Sequence, residues 1–203
     1  MIRFIYFDLG NVLLHFDHGI ACENLGALLG HQPQRVRQWV FESELQWQYE
    51  RGDLSCEQFH QRLCELSGAR PSLAELSVAA SDIFTLHEPM VEIVAGLKQA
   101  GWPLGILSNT CRAHWNHVYP SKYPELWQAF GTLALSFEIR AMKPEPSIYA
   151  AAARLASVDP EEIFFIDDRA DNVAGARQAG YDAVQFTTVD QLKLDFQARG
   201  LCA

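Results

Sequence analysis

The sequence lacks the features of membrane, extracellular and nucleic-acid-binding proteins. No run approaches the roughly 18 consecutive apolar residues that span a bilayer, although 49% of the 203 residues are hydrophobic. That apolar content is the share expected of a globular core. Cysteine is sparse. Cys22, Cys56, Cys64, Cys111 and Cys202 are odd in number and show no CxxC spacing, which argues against a disulfide framework and a zinc site and fits a reducing cytoplasm. Basic residues are outnumbered, 16 Lys and Arg against 25 Asp and Glu, for a net charge of −9. Such a surface disfavours nucleic acid and anionic membranes as partners, while an anionic small molecule remains possible wherever cations gather locally. One Arg precedes Asp8 and no apolar core of signal-peptide length forms before it, so no export signal is expected. Internal repeats and low-complexity tracts are missing as well, and the length suits one domain with an insertion.

What is present begins with Phe4-Ile-Tyr-Phe-Asp8-Leu-Gly-Asn-Val12. Ile2 to Phe7 is a short apolar run rich in aromatic and β-branched residues, the pattern of a strand buried on both faces. It ends at Asp8, and Gly10 and Asn11 permit a tight turn. From His15 to His87 the pattern is helical with no convincing strand: Ile20 to Leu29, Val36 to Tyr49, Phe59 to Leu66 and Leu73 to Phe84. Ser55-Cys-Glu-Gln58 and Ser72-Leu-Ala-Glu75 read as capping boxes, and Pro33, Gly52 and Gly68 to Pro71 read as breakers. From Glu88 the chain alternates. Helices are expected over Met90 to Ala100, Pro146 to Ala156, Ala170 to Gly180 and Val189 to Ala198. Strands are expected over Leu104 to Leu107, Thr132 to Ser136, Ile163 to Ile166 and Ala183 to Phe186. This alternation predicts an α/β fold, a doubly wound, Rossmann-like parallel sheet formed by 1–15 and 88–203, with an all-helical insertion over 16–87.

Three apolar strands end in polar residues: Asp8, Ser108-Asn109 and Asp167-Asp168. In a parallel sheet these ends share one edge, where ligands bind. Each alone has a plainer reading as a turn former or helix cap. The adjacent carboxylates of Asp167 and Asp168 repel each other unless a cation neutralises them, and Mg²⁺ is the usual hard ion when phosphate is bound too. Lys143-Pro144 supplies a cation that can hold a nucleophilic carboxylate ionised and bind a phosphoryl oxygen.

Phe7-Asp8-Leu-Gly-Asn-Val12, Leu107-Ser-Asn-Thr110, Lys143-Pro-Glu-Pro-Ser-Ile-Tyr149 and Phe165-Ile-Asp-Asp-Arg-Ala-Asp-Asn172 resemble, in order and spacing, the four motifs of the haloacid dehalogenase (HAD) superfamily. The resemblance is to the branch with glucose-1-phosphate-type phosphatases and the N-terminal domain of soluble epoxide hydrolase, with a helical cap between the first two motifs. It implies a phosphoric monoester hydrolase acting on a small phosphorylated metabolite such as a sugar phosphate. Asp8 would be the nucleophile forming an aspartyl-phosphate. Ser108, Asn109 and Lys143 would hold the transferring phosphoryl group. Asp8, the Gly10 carbonyl and Asp168 would bind Mg²⁺, with Asp167 acting directly or through water, and Asn172 would support the acidic loop.

One position departs from the pattern. Most phosphatases of the superfamily carry a second Asp two residues after the nucleophile as general acid and base, and here it is Gly10. His15 and Asp17, just downstream, and His114 and His117, after the second motif, are the replacements within reach of sequence reasoning. Without one, activated esters such as aryl phosphates and sugar 1-phosphates are the expected better substrates. A 2-haloacid dehalogenase also lacks that Asp, but typically has an aromatic residue at the Gly10 position and Ser-Ser-Asn in place of Ile166-Asp-Asp168; the paired acids favour phosphate chemistry. A catalytically silent binding domain is the third reading. Trp39, Trp47, Tyr49 and Arg51 are the insertion's candidates for contacting substrate, with packing inside the insertion as their alternative.

Overall fold

The structure, a computed structural model, describes residues 1–201, so Cys202 lies outside the described residues. The chain runs from β1 (Phe4–Phe7) to β2 (Leu14–Phe16), then through α1 (His18–Leu29), α2 (Pro33–Val40), α3 (Leu45–Arg51), α4 (Cys56–Ser67) and α5 (Leu73–Ser81) to β3 (Phe84–Leu86). The second part comprises α6 (Glu88–Gln99), β4 (Leu104–Ser108), α7 (Arg112–Val118), α8 (Pro124–Trp127), β5 (Thr132–Leu135), α9 (Ser136–Ile139), α10 (Pro146–Ala156), β6 (Ile163–Asp167), α11 (Ala170–Gln178), β7 (Asp182–Gln185) and α12 (Val189–Ala198).

The five-stranded sheet has the order β5-β4-β1-β6-β7, and every pairing in it is parallel. The chain builds outward from β1 on one side, then crosses to build the other, so β1 is the topological switch point at which an open α/β sheet binds its ligand. All four residues of β1 are buried because both faces of the strand are covered. Ile5 and Phe7 join one core cluster with Met90, Ile93 and Leu97 of α6 and Leu192 and Phe196 of α12. Phe4 and Tyr6 join the opposite cluster with Ile148, Tyr149 and Ala152 of α10 and Val173 and Ala176 of α11. Period-2 alternation thus feeds two cores, and each fully buried large side chain contributes roughly 1.5–3 kcal/mol.

The helices between β2 and β3 bury a third cluster of their own, Leu25, Leu29, Val36, Tyr49, Phe59, Leu63 and Leu76 among others. Both expected capping boxes form: Ser55 with Gln58, and Ser72 with Glu75. Two expectations are corrected here. Val36 to Tyr49 is not one helix but α2 and α3, because the Ser43 hydroxyl donates to the Trp39 carbonyl at 2.5 Å and accepts from the Leu45 N–H at 3.1 Å. A short hydroxyl side chain competes in this way with the helical ladder. The stretch expected to hold no strand is also bracketed by an antiparallel ribbon, with Leu14 opposite Leu86, His15 opposite Thr85 and Phe16 opposite Phe84. Three-residue strands whose partner lies some seventy positions away leave too little period-2 signal to detect. The ribbon joins the helical insertion to the sheet at two adjacent points.

No helix of the described residues is long and apolar enough to cross a membrane.

Candidate active site

Register brings the strand ends together. Phe7 lies opposite Ile106 on one side and Ile166 on the other, and the Asp8 N–H donates to the Ile166 carbonyl at 2.8 Å. The next residues of β1 and β6 are therefore Asp8 and Asp167, both buried. Asp8, Asp167 and Asp168 each present a carboxylate oxygen, and these three oxygens lie within 4.8 Å of one another.

Lys143 arrives from the loop before α10. Its ammonium sits 2.8 Å from Asp8 Oδ1 and 2.6 Å from Asp167 Oδ2, with side chains 1%, 10% and 0% exposed respectively, and it donates to the Leu107 carbonyl at 2.9 Å. Asn109 sets its backbone. The Asn109 amide donates to the Lys143 carbonyl at 2.9 Å and accepts from the Lys143 N–H at 2.8 Å. Asn109 therefore acts on Lys143 through its side chain, a link that strand-end reasoning did not reveal.

The three carboxylates differ in their free valences. Asp167 Oδ1 accepts from the Arg169 N–H and Asn172 Nδ2, and Oδ2 accepts from Lys143 and again from Asn172. Asn172 is itself steadied by the buried Tyr149 hydroxyl, which donates to its carbonyl at 2.7 Å. Asp168 accepts from Asn11 Nδ2 at 3.1 Å through Oδ2 only, and Asp8 is engaged by Lys143 through Oδ1. Asp8 and Asp168 thus keep an oxygen each for an outside ligand, whereas Asp167 is saturated by protein donors. Burial pushes the Asp8 carboxyl up to about 7, with Lys143 pulling down and Asp167 and Asp168 adding to the rise. Burial opposes the Lys143 charge too, but Asp167 and Asp8 outweigh it and hold the ammonium above its ordinary value. One ammonium faces three carboxyls, two of them buried, and with all three ionised a divalent cation on this all-oxygen donor set would balance the excess charge.

Ser108 is buried at the end of β4 and its hydroxyl has only a long, 3.4 Å contact with the Asn109 carbonyl, so it remains available to a ligand. Ser108, Asn109 and Thr110 line a cleft together with Leu9, Gly10, His114 of α7 and five residues of the insertion: Phe16, His18, Glu50, Ile83 and Phe84. Sequence reasoning named Trp47, Tyr49 and Arg51 as the α3 candidates, and the cleft is lined by Glu50 between them. Tyr49 stacks on Phe59 at 4.4 Å inside the insertion, Arg51 is ion-paired with Glu145, and the exposed Trp47 lies under its guanidinium at 5.1 Å. Trp39 packs edge-on against His31. Of the four candidates for the missing acid and base, His114 alone lines the cleft. Asp17 caps α1 through the Gly19 N–H, His15 lies 4.4 Å from the His87 ring, and His117 meets Asp82 at 3.2 Å.

The space beyond Gly10 is taken. A Cβ built there would lie 2.6 Å from Cε1 of Phe16, so Gly10→Asp must displace that ring from the cleft wall. We expect this substitution to cost about 1–3 kcal/mol, as overpacking does, and to bring no gain in turnover. Thermal melts with steady-state rates check this, and an unchanged melting temperature with a faster enzyme would show that the ring yields freely.

Comparison with known proteins agrees with this fold. A D-ribitol-5-phosphate phosphatase of Bacteroides thetaiotaomicron is 25% identical over 191 residues, 91% of this chain and 92% of that one. The crystal structure of the HAD family enzyme BT-2542 of the same species, in complex with magnesium and inorganic phosphate, superposes with a TM-score of 0.81 at 25% identity, covering 95% of this chain and 99% of that one. The bifunctional epoxide hydrolase 2 of Rattus norvegicus is 29% identical over 115 residues, 54% of this chain but only 20% of that longer protein. Residues 2–180 match the model of the haloacid dehalogenase-like hydrolases, and with a parallel sheet converging on Asp8, Lys143 and Asp167-Asp168 the chain belongs to that family of hydrolases.

Proposed function

We propose that the chain is a Mg²⁺-dependent phosphomonoester hydrolase working through an aspartyl-phosphate on Asp8, with a polyol or sugar phosphate as substrate. The observation that carries this reading is the buried Lys143 bridge between Asp8 and Asp167, set beside a third carboxylate that keeps a free oxygen. An ionised, desolvated carboxylate at a strand end is a nucleophile, and the residues beside it suit the binding of an anion and a hard cation. The name and ligands of the Bacteroides relatives support the substrate class and the metal.

Lys143 draws the Asp8 carboxyl toward its ionised form against its burial and faces the phosphoryl oxygens that gain charge in the transition state. Ser108 orients the same group from β4. Asp8 and Asp168, with the Gly10 carbonyl, would hold Mg²⁺, which when bound neutralises phosphoryl charge. Asp167, saturated by donors, anchors Lys143 and would act on a bound cation through water. Residues 16–87 act as a cap over the core formed by 1–15 and 88–203, and the cleft between them selects the ester.

Excess chelator is expected to stop hydrolysis and added Mg²⁺ to restore it. Ca²⁺ is expected to inhibit, because its longer, looser coordination misplaces nucleophile and phosphorus. A panel of phosphomonoesters assayed with and without Mg²⁺, alongside 2-haloacids, tests the whole reading. Undiminished turnover in chelator, or halide release in place of phosphate release, would sink it.

A further inference from the structure

The proposed reaction needs a proton donor for the departing alcohol and a proton acceptor for the attacking water, and the turn after β1 supplies neither. The position that would carry one is Gly10, backed by the Phe16 ring. Among the eleven residues lining the cleft, Glu50 is the single carboxylic acid. It is reached from α3, whose helical spacing places Gln46 one turn before it, and Gln46 Nε2 donates to Glu50 Oε1 at 2.8 Å. Among the described residues Oε2 has no hydrogen-bond partner, and no Lys or Arg pairs with the carboxylate; Arg51 is turned away to Glu145.

The position is built rather than incidental. The Ser136 hydroxyl donates to the Glu50 carbonyl at 2.6 Å and accepts from the Thr110 N–H at 2.9 Å, so one side chain ties Glu50 to the loop that follows Ser108. The Arg51–Glu145 pair ties the next residue to the loop that carries Lys143. Gly52 then packs so closely on the Phe137 carbonyl that a Cβ there would run into it. Glu50 and Arg51 are thus tied to the segments that follow Ser108 and Lys143, and Gly52 to α9. A reacting group must be held this firmly to be useful.

Resting on the phosphomonoesterase reading, we propose that Glu50 is the residue that protonates the leaving alcohol and then deprotonates the water that attacks the aspartyl-phosphate. In the first step a carboxylate oxygen of Asp8 bonds to phosphorus and the P–O bond to the alcohol breaks. Its electron pair goes to the alcohol oxygen, which takes the Glu50 proton and leaves. In the second step water bonds to phosphorus and gives a proton to the Glu50 carboxylate. The P–O bond to Asp8 breaks and returns its electrons to Asp8, so inorganic phosphate leaves and both residues regain their starting forms.

The surroundings suit the task. Burial raises the Glu50 carboxyl above its ordinary value against the pull of the Gln46 amide, and an incoming phosphate dianion raises it further. The facing titratable groups are His18 of α1, His114 of α7 and the Cys111 thiol before α7. Burial lowers both imidazoles, His114 to about 4, and raises the Cys111 thiol, shifts that run against the protonated imidazole and the thiolate, whereas burial favours the protonated acid at Glu50.

The test is Glu50→Gln, with Glu50→Asp as the second variant should the amide not fold, each checked by thermal melt and by binding of inorganic phosphate with Mg²⁺. General acid–base help is worth about 10²–10⁴-fold, and it matters little where the leaving group departs unaided. We expect Glu50→Gln to lower kcat/KM by about that factor on ribitol 5-phosphate but by less than about tenfold on 4-nitrophenyl phosphate. Rapid mixing of the amide variant with the aryl ester is expected to give a burst of nitrophenolate, because the second step has lost its base, and Glu50→Asp is expected to recover part of the alkyl-ester rate. Equal losses on both esters without a burst would make Glu50 a binding residue and overturn the proposal, as would no loss at all. A wild-type protein silent toward every ester in Mg²⁺ would instead remove the hydrolase reading itself, and the role of Glu50 with it.

Discussion

Asp8→Asn is expected to abolish turnover, by at least about 10⁴-fold, since in the proposed reaction it removes the nucleophile and leaves only binding and electrostatic help. The fold is expected to survive unharmed. The amide is nearly isosteric, and Lys143 keeps its contact with Asp167 at 2.6 Å. The substitution also removes a buried negative charge that Asp167 and Asp168 crowd, so the melting temperature should stay level or rise. That pairing of lost activity with kept or improved stability marks a residue held in place for chemistry at some cost to the fold. Phosphate release and melting temperature on the same sample decide it. Near-normal rates in the folded variant would take Asp8 out of the mechanism.

Lys143→Met is expected to damage both properties. The side chain is 1% exposed and lies between two carboxylates, so removing the ammonium leaves Asp8 and Asp167 facing each other in a dry site. Breaking a buried pair from one side costs about 3–5 kcal/mol, and methionine keeps enough bulk that cavity formation adds little. Turnover should fall by about 10³-fold, because the charge that the proposed mechanism sets against the developing phosphoryl oxygens is gone. A second variant separates the two effects. Lys143→Met with Asp167→Asn removes the leftover charge, and it should recover most of the stability while recovering none of the activity. Denaturant unfolding curves for the single and double variants check this. A single variant as stable as the wild type would mean that the carboxylates share a proton or a cation already and that Lys143 is not what holds them.

Much of this was legible in the residues. A short run such as Phe4 to Phe7 with no polar alternation reads as a strand covered on both faces, and its end at Asp8 falls on the edge where a parallel sheet binds its ligand. Ser55-Cys-Glu-Gln58 and Ser72-Leu-Ala-Glu75 form local bonds from local partners, so they too are readable. The break at Ser43 was missed because a hydroxyl can cap or simply face solvent, and the choice depends on how α2 and α3 pack. The β2–β3 ribbon was missed because its signal lies in a pairing between distant segments.

The site divides in the same way. Residue type and local spacing were enough to show the alternation of strands and helices, the carboxylates at the ends of two strands and the lysine before α10, while the missing acid at Gly10 showed only against the family pattern. Tertiary structure alone decided which carboxylates remain free, with Asp167 saturated by Asn172, Arg169 and Lys143. It alone decided that Asn109 grips the backbone of Lys143, and that Glu50 rather than Trp47, Tyr49 or Arg51 lines the cleft. Those outcomes rest on contacts such as Ser136 with Glu50, 86 positions apart, and a single helix presents Glu50 as one more polar residue until its partner surface is in place.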